Sequence, residues 1–238
     1  MIHVYWNLVQ GFPGREVDFL SPIEENRLSQ MRFAHRRQSF LLGRWATKQL
    51  VQMHPACANL PSASITIANH PAGGPYVQTG GHEVDGCISL SHRENEAVSA
   101  MVIHSGVSVG VDLEFVEEHG RDFVEDFFTS QESTQIDLLP EDERSVAVTR
   151  TWSAKEAVLK ALGIGLRVDS RTVSINQSHW SIRKDGWQPL ESSGPALEDH
   201  ACQVWWRSLG QYVLTLAVVT KKELSAEIET IILEHIPG

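Results

Sequence analysis

An α+β protein made of two similar halves is what this sequence predicts, and three observations carry the prediction. Trp45-Ala-Thr-Lys48-Gln-Leu-Val51 echoes Trp152-Ser-Ala-Lys155-Glu-Ala-Val158, with Trp, Lys and Val in register 107 residues apart. Ile65-Thr-Ile67 echoes Val173-Ser-Ile175 at a spacing of 108. The first echo lies in helix candidates and the second in the strand candidates that follow them, so the order of elements repeats as well. A fixed spacing near half of a 238-residue chain marks a duplicated unit. The halves are placed at 1–106 and 107–238.

The elements follow in order. Apolar positions at Phe33, Phe40, Leu41, Leu50 and Val51 predict a helix over about Ile23–Met53, with Pro22 at its start and Pro55 and Pro61 beyond its end. Arg32, Arg36, Arg37, Arg44 and Lys48 make this helix basic in an acidic chain. Ser64–Ala68 alternates as a strand, and His70–Pro75 is a loop by its Gly and Pro content. Strands are predicted at Cys87–Leu90, Ala97–His104 and Val107–Phe115. An acidic helical stretch at Thr129–Arg144 is interrupted by Pro140, and a second strong helix covers Ser153–Leu162, stopped by Gly163 and Gly165. Strands are expected near Arg171–Ile175, Gln203–Arg207 and Tyr212–Val219, then a short element near Leu224–Leu233. In the Trp205-Trp206 pair, alternation sends one ring to the core and leaves the other more exposed.

Composition removes whole function classes. Apolar residues make up 42% of the chain, enough for a core. With 20 Lys+Arg against 30 Asp+Glu the formal charge is −10, which argues against a general nucleic-acid binder. No apolar run approaches the roughly 20 residues that span a bilayer, so no membrane association is expected. The N-terminal stretch lacks the layout of a signal peptide. Cys57, Cys87 and Cys202 are odd in number and far apart, which points to a reducing, cytoplasmic setting rather than a disulfide scaffold or a zinc site.

Three segments could carry chemistry. In Val107–Phe115, Asp112 and Glu114 fall on the same face of a strand, with Gly110 leaving room there. Two carboxylates so placed suit a hard divalent ion such as Mg²⁺, usually together with substrate phosphates, or else form a solvated outer face. In Trp152–Lys160, Ser153 and Glu156 match a capping box and Glu156 and Lys160 an i, i+4 ion pair. The functional alternative makes Glu156 a third carboxylate and Lys155 and Lys160 phosphate ligands. In Cys87–Arg93, Ser91 and His92 follow a strand, where they are either surface residues or phosphate contacts.

Taken together these segments resemble the surfactin-type 4′-phosphopantetheinyl transferases. The ordered match is Ser91-His92, Val109-Gly-Val-Asp112-Leu-Glu114, and Trp152-Ser-Ala-Lys155-Glu156-Ala-Val-Leu-Lys160 followed by Gly163-Ile-Gly165, with Leu41-Leu-Gly-Arg44 upstream. The resemblance implies two related α+β halves with the active site in the cleft between them. It implies Mg²⁺-dependent transfer of the phosphopantetheine arm of coenzyme A to a serine of an acyl or peptidyl carrier protein, releasing 3′,5′-ADP. Asp112, Glu114 and Glu156 would hold the metal. Lys155 and Lys160 would offset phosphate charge, and Ser91, His92, Arg44 and Arg36 or Arg37 would contact coenzyme A. Glu156 or a water on the metal would take the serine proton. Two halves in one chain make a monomer sufficient. One departure stands out: Gly73-Gly74-Pro75 replaces the family's Gly-Lys-Pro, which predicts weaker coenzyme A binding than Gly74→Lys would show. That departure keeps a non-catalytic coenzyme A or carrier-protein binding module as the alternative, with a plain structural α+β protein as the third reading.

Overall fold

The computed structural model describes residues 1–11, 18–71, 73–176, 186–225 and 230–237. In chain order the elements are β1 (Ile2–Gln10), α1 (Pro22–Ser29), α2 (Ala34–Val51), β2 (Ile65–Asn69), β3 (Pro75–Thr79), β4 (His82–Glu83), β5 (Cys87–Arg93), β6 (Glu96–Val102), β7 (Val107–Phe115), α3 (Arg121–Phe127), α4 (Ser130–Asp137), α5 (Glu141–Ala161), β8 (Ser174–Asn176), β9 (Gln188–Ser193), β10 (His200–Leu209), β11 (Tyr212–Lys221), α6 (Lys222–Ser225) and β12 (Ile231–His235). The chain forms two compact units: Met1–Val109 with Ile228–Gly238, and Gly110–Glu227. A cut at 106/107 differs by three residues and misses the return of the C-terminal segment to the first unit. That segment crosses residues 226–229, which lie outside those described.

In the first unit, β12 runs parallel to β1 and the sheet order is β12-β1-β6-β5, with a separate β2-β3-β4 sheet. Ile2, Val4 and Trp6 point inward along β1. Helix α2 packs on β6, β1 and β5. Leu50 and Val51 join Ile65, Ile67, Val77, Ile88 and Met101 in one core cluster. Each such fully buried aliphatic side chain contributes about 1.5–3 kcal/mol. The single helix expected over Ile23–Met53 is two helices. Arg37 explains the break: its Nη1 donates to Leu28 O at 2.7 Å, satisfying a carbonyl at the end of α1.

In the second unit the sheet order is β7-β11-β10-β9-β8, and α5 lies on β11. Ala154, Ala157, Val158 and Leu159 of α5 meet Val173, Ile175, Val204, Ala217 and Val219 in the core. Helix α5 starts at Glu141, just after Pro140, and not at Ser153. Ser153 is therefore mid-helix and cannot be an N-cap. Its hydroxyl is buried against Thr215 Oγ1 at 2.8 Å. Pro140 marks the true boundary: it is the N-cap, with extended backbone at ψ 147°, and the helix begins at the next residue. As alternation predicts, Trp206 is buried and Trp205 only partly so.

Candidate active site

The candidate site forms where α5 crosses β7. Gly110 sets the approach. A Cβ there would lie 1.9 Å from Ala157 O and 2.6 Å from Ala161 N, so only glycine lets the helix backbone touch the strand. The space expected for a ligand beside Gly110 is filled by α5. This contact brings the outer turn of α5 over Asp112. Lys160 Nζ donates to Asp112 Oδ1 at 2.6 Å and to Val111 O at 3.3 Å, and stands 3.8 Å from Glu156 Oε2. One ammonium thus sits between two carboxylates. The Asp112 side chain is 3% exposed, Glu156 16% and Lys160 27%.

Burial raises the pKa of Glu156, the Asp112 charge adds to the rise, and Lys160 opposes it. Glu114 is half-buried two residues along β7. Among the described residues no three Asp, Glu, His or Cys side chains gather closely enough to hold a metal ion. The expected convergence of Asp112, Glu114 and Glu156 is therefore corrected to a close pair, Asp112 and Glu156, around Lys160. That donor set fits Mg²⁺. The oxygens are hard, a cation already stands between them, and this ion commonly takes one or two carboxylates and completes its shell with phosphate and water.

Lys155 has a different task from the expected one. It is fully buried, and its three donors go to Glu132 Oε2 at 2.9 Å, Ser170 O at 3.2 Å and Val173 O at 2.5 Å. An ammonium has no fourth donor, so Lys155 offers nothing to a phosphate or a reacting group. Burial lowers its pKa and Glu132 holds it up. Glu132 is the N3 residue of a capping box with Thr129, and its Oε1 accepts from Ile175 N at 2.7 Å.

The first unit repeats most of this arrangement, with one carbonyl partner of the lysine exchanged. Glu24 forms a capping box with Ser21, and its Oε1 accepts from Ile67 N at 3.0 Å. Lys48 Nζ reaches Glu24 Oε2 at 2.5 Å, Phe19 O at 2.7 Å and Ser62 O at 2.9 Å. Phe19 meets Trp45 at 5.2 Å as Phe127 meets Trp152 at 4.9 Å. The Trp/Lys/Val echo is thus the trace of a duplicated clamp that ties a capped helix, a long helix and a strand together. Glu24 and Glu132 are the residues that sequence reasoning missed. The signal was Ser21-x-x-Glu24 against Thr129-x-x-Glu132, again 108 apart.

The remaining candidates lie in the first unit. Arg36 is exposed beside the Phe33 ring, with 5.8 Å to its centroid. Arg44 is buried, against Glu24 Oε1 at 3.3 Å and over Phe40 at 4.5 Å, so it braces α2 and is not open to a nucleotide as expected. Ser91 and His92 do not follow a strand. They lie inside β5, opposite Val98 and Ala97 of β6, with Ser91 half-buried and His92 exposed. Gly74 has φ +80°, and its carbonyl accepts from His70 N at 3.0 Å.

The family model of the 4′-phosphopantetheinyl transferase superfamily matches residues 108–217. A 4′-phosphopantetheinyl transferase of Aneurinibacillus migulanus is 26% identical over 159 residues, covering 65% of this chain and 62% of that protein. The 4′-phosphopantetheinyl transferase HetI of a Nostoc species is 25% identical over 149 residues, covering 62% and 61%. A crystal structure of a holo-(acyl-carrier-protein) synthase from Bacillus anthracis, in complex with CoA (3′,5′-ADP), is 18% identical. It covers 48% of this chain and 96% of that one, with a TM-score of 0.41. The chain spans between 46% and 62% of the length of the curated relatives it matches.

Proposed function

We propose that this protein transfers the 4′-phosphopantetheine arm of coenzyme A to a serine hydroxyl of an acyl or peptidyl carrier protein, releasing 3′,5′-ADP. One observation carries the reading: Lys160 stands between Asp112 and Glu156, inside the segment matched by the transferase superfamily. Phosphoryl transfer asks chiefly for positioning and charge neutralisation, and this trio supplies both signs of charge in a largely dry setting.

Asp112 and Glu156 would hold Mg²⁺, with Glu114 the next acidic side chain along β7. A bound cation there supplies Lewis-acid stabilisation of pyrophosphate oxygens. Lys160 turns its ammonium to the phosphates and offsets the charge that grows on the leaving group. The serine must give up a proton, and Glu156 or a water on the cation would accept it. Burial and Asp112 raise the Glu156 pKa in the metal-free protein, and a bound cation would draw it back down. Exposed Arg36, with Ser91 and His92, would meet the phosphates of coenzyme A. Three free cysteines suit a reducing cytoplasm, and one chain acting alone suffices.

The test is incubation with coenzyme A, Mg²⁺ and an apo carrier protein, read as the carrier's gain of one phosphopantetheine by mass spectrometry. Asp112→Ala and Glu156→Ala should each abolish the gain while keeping a folded protein. Binding of coenzyme A without transfer at any Mg²⁺ level would turn the assignment to a binding module. Full transfer by both variants would remove the mechanism.

A further inference from the structure

The geometry points to Lys160 as the resident cation of its own metal site: its ammonium holds the Asp112–Glu156 pair closed to a free divalent ion, and a phosphate-bearing ligand draws it away. The inference deepens the proposed transferase reading and rests on it for the identity of that ligand.

The argument is one of occupancy. A buried carboxylate needs a counter-charge. Asp112 has one in contact, at 2.6 Å, and Glu156 shares it at 3.8 Å. A divalent ion arriving alone meets an ammonium already bonded to the oxygen it seeks, and like charge repels it. Lys160 is nonetheless the most exposed of the three side chains, at 27%, and ends a flexible four-carbon stem. It can swing outward once an anion offers it phosphate oxygens. Its bond to Val111 O, at 3.3 Å, is long. Metal and phosphate ligand therefore bind as a coupled pair, each favouring the other by the same factor. The neighbouring Lys155 cannot serve as a substitute, because all of its donors are committed to Glu132, Ser170 and Val173.

The experiment titrates the full chain with Mn²⁺ alone, followed by electron paramagnetic resonance. Neither coenzyme A nor carrier is present, so the titration reads the same whether or not the transferase assay succeeds. Lys160→Met and Lys160→Gln should bind Mn²⁺ at least about tenfold more tightly than the native protein, since each removes a like charge a few ångströms away. Lys160→Arg, which keeps the charge, should stay as weak as the native protein. Adding Asp112→Asn to Lys160→Met should erase the gain and so locate the ion on this pair. The inference is overturned if either neutral variant, folded by circular dichroism, binds Mn²⁺ no more tightly than the native protein. It is equally overturned if Lys160→Arg matches the neutral variants, or if the gain persists without the Asp112 charge.

Discussion

Replacing Lys155 by Met separates an architectural lysine from a phosphate-binding one. Both side chains of the Lys155–Glu132 pair are 0% exposed. Removing the ammonium leaves Glu132 with its backbone donors from Thr129 and Ile175 and no cation, and it strands the carbonyls of Ser170 and Val173. Breaking a buried pair from one side costs about 3–5 kcal/mol. For a chain of this size that corresponds to a fall in Tm of roughly 10 °C. Thermal or urea unfolding of the full chain reads the loss. Lys48→Met provides the internal control, because Lys48 likewise pairs with a buried glutamate and donates to two backbone carbonyls in the other unit. The two variants should lose similar amounts. The reasoning is refuted if Lys155→Met unfolds within about 1 kcal/mol of the native protein and shows only a raised KM for coenzyme A. That outcome would return Lys155 to the ligand.

Further outcomes follow from the same geometry. Gly110→Ala should cost about 3 kcal/mol, because the new methyl lies 1.9 Å from Ala157 O and must push α5 off β7; urea unfolding reads it. In the metal-free protein Glu156 should titrate above the ordinary glutamate range, and Asp112→Asn should lower that midpoint by removing a cause of the rise, as followed by carboxyl NMR shifts. The raised folded-state pKa means that the native chain keeps a proton the unfolded chain has released. Stability from this group therefore falls as pH climbs from the ordinary carboxylate range through the raised value. Gly74→Lys should cost about 1–2 kcal/mol in a thermal melt, since φ is +80° there.

Much of this was legible from local patterns. The bounds of β7 match its alternation, and the Trp/Lys/Val echo located the duplication. The Glu156–Lys160 spacing put both groups on the turn that faces Asp112. What escaped was decided by tertiary contacts. Ser153 satisfies the pattern of a helix start, yet twelve residues of α5 precede it, because the stretch from Glu141 is anchored by Ala147 and Val148 against Phe128 and Ile136. Lys155 and Lys160 look alike in sequence, and only the buried Glu132 tells them apart. Gly110 reads equally as room for a ligand or room for a helix, and the nearest atom, Ala157 O, decides for the helix. The strands β1, β3, β4 and β9 and the helix α3 were not anticipated. β4, with two residues, and α3, with seven, are too short to show a period.

The parallel pairing of β12 with β1 has a consequence for biosynthesis. The N-terminal sheet lacks its outermost strand until residues 110–227 have left the ribosome, a delay on the order of 10 s at ordinary elongation rates. Throughout that interval Ile2–Trp6 presents open amide and carbonyl groups, the kind of edge that recruits stray strands. The nascent polypeptide is thus most prone to aggregate before its last segment emerges, and a premature stop near residue 225 would make that exposure permanent.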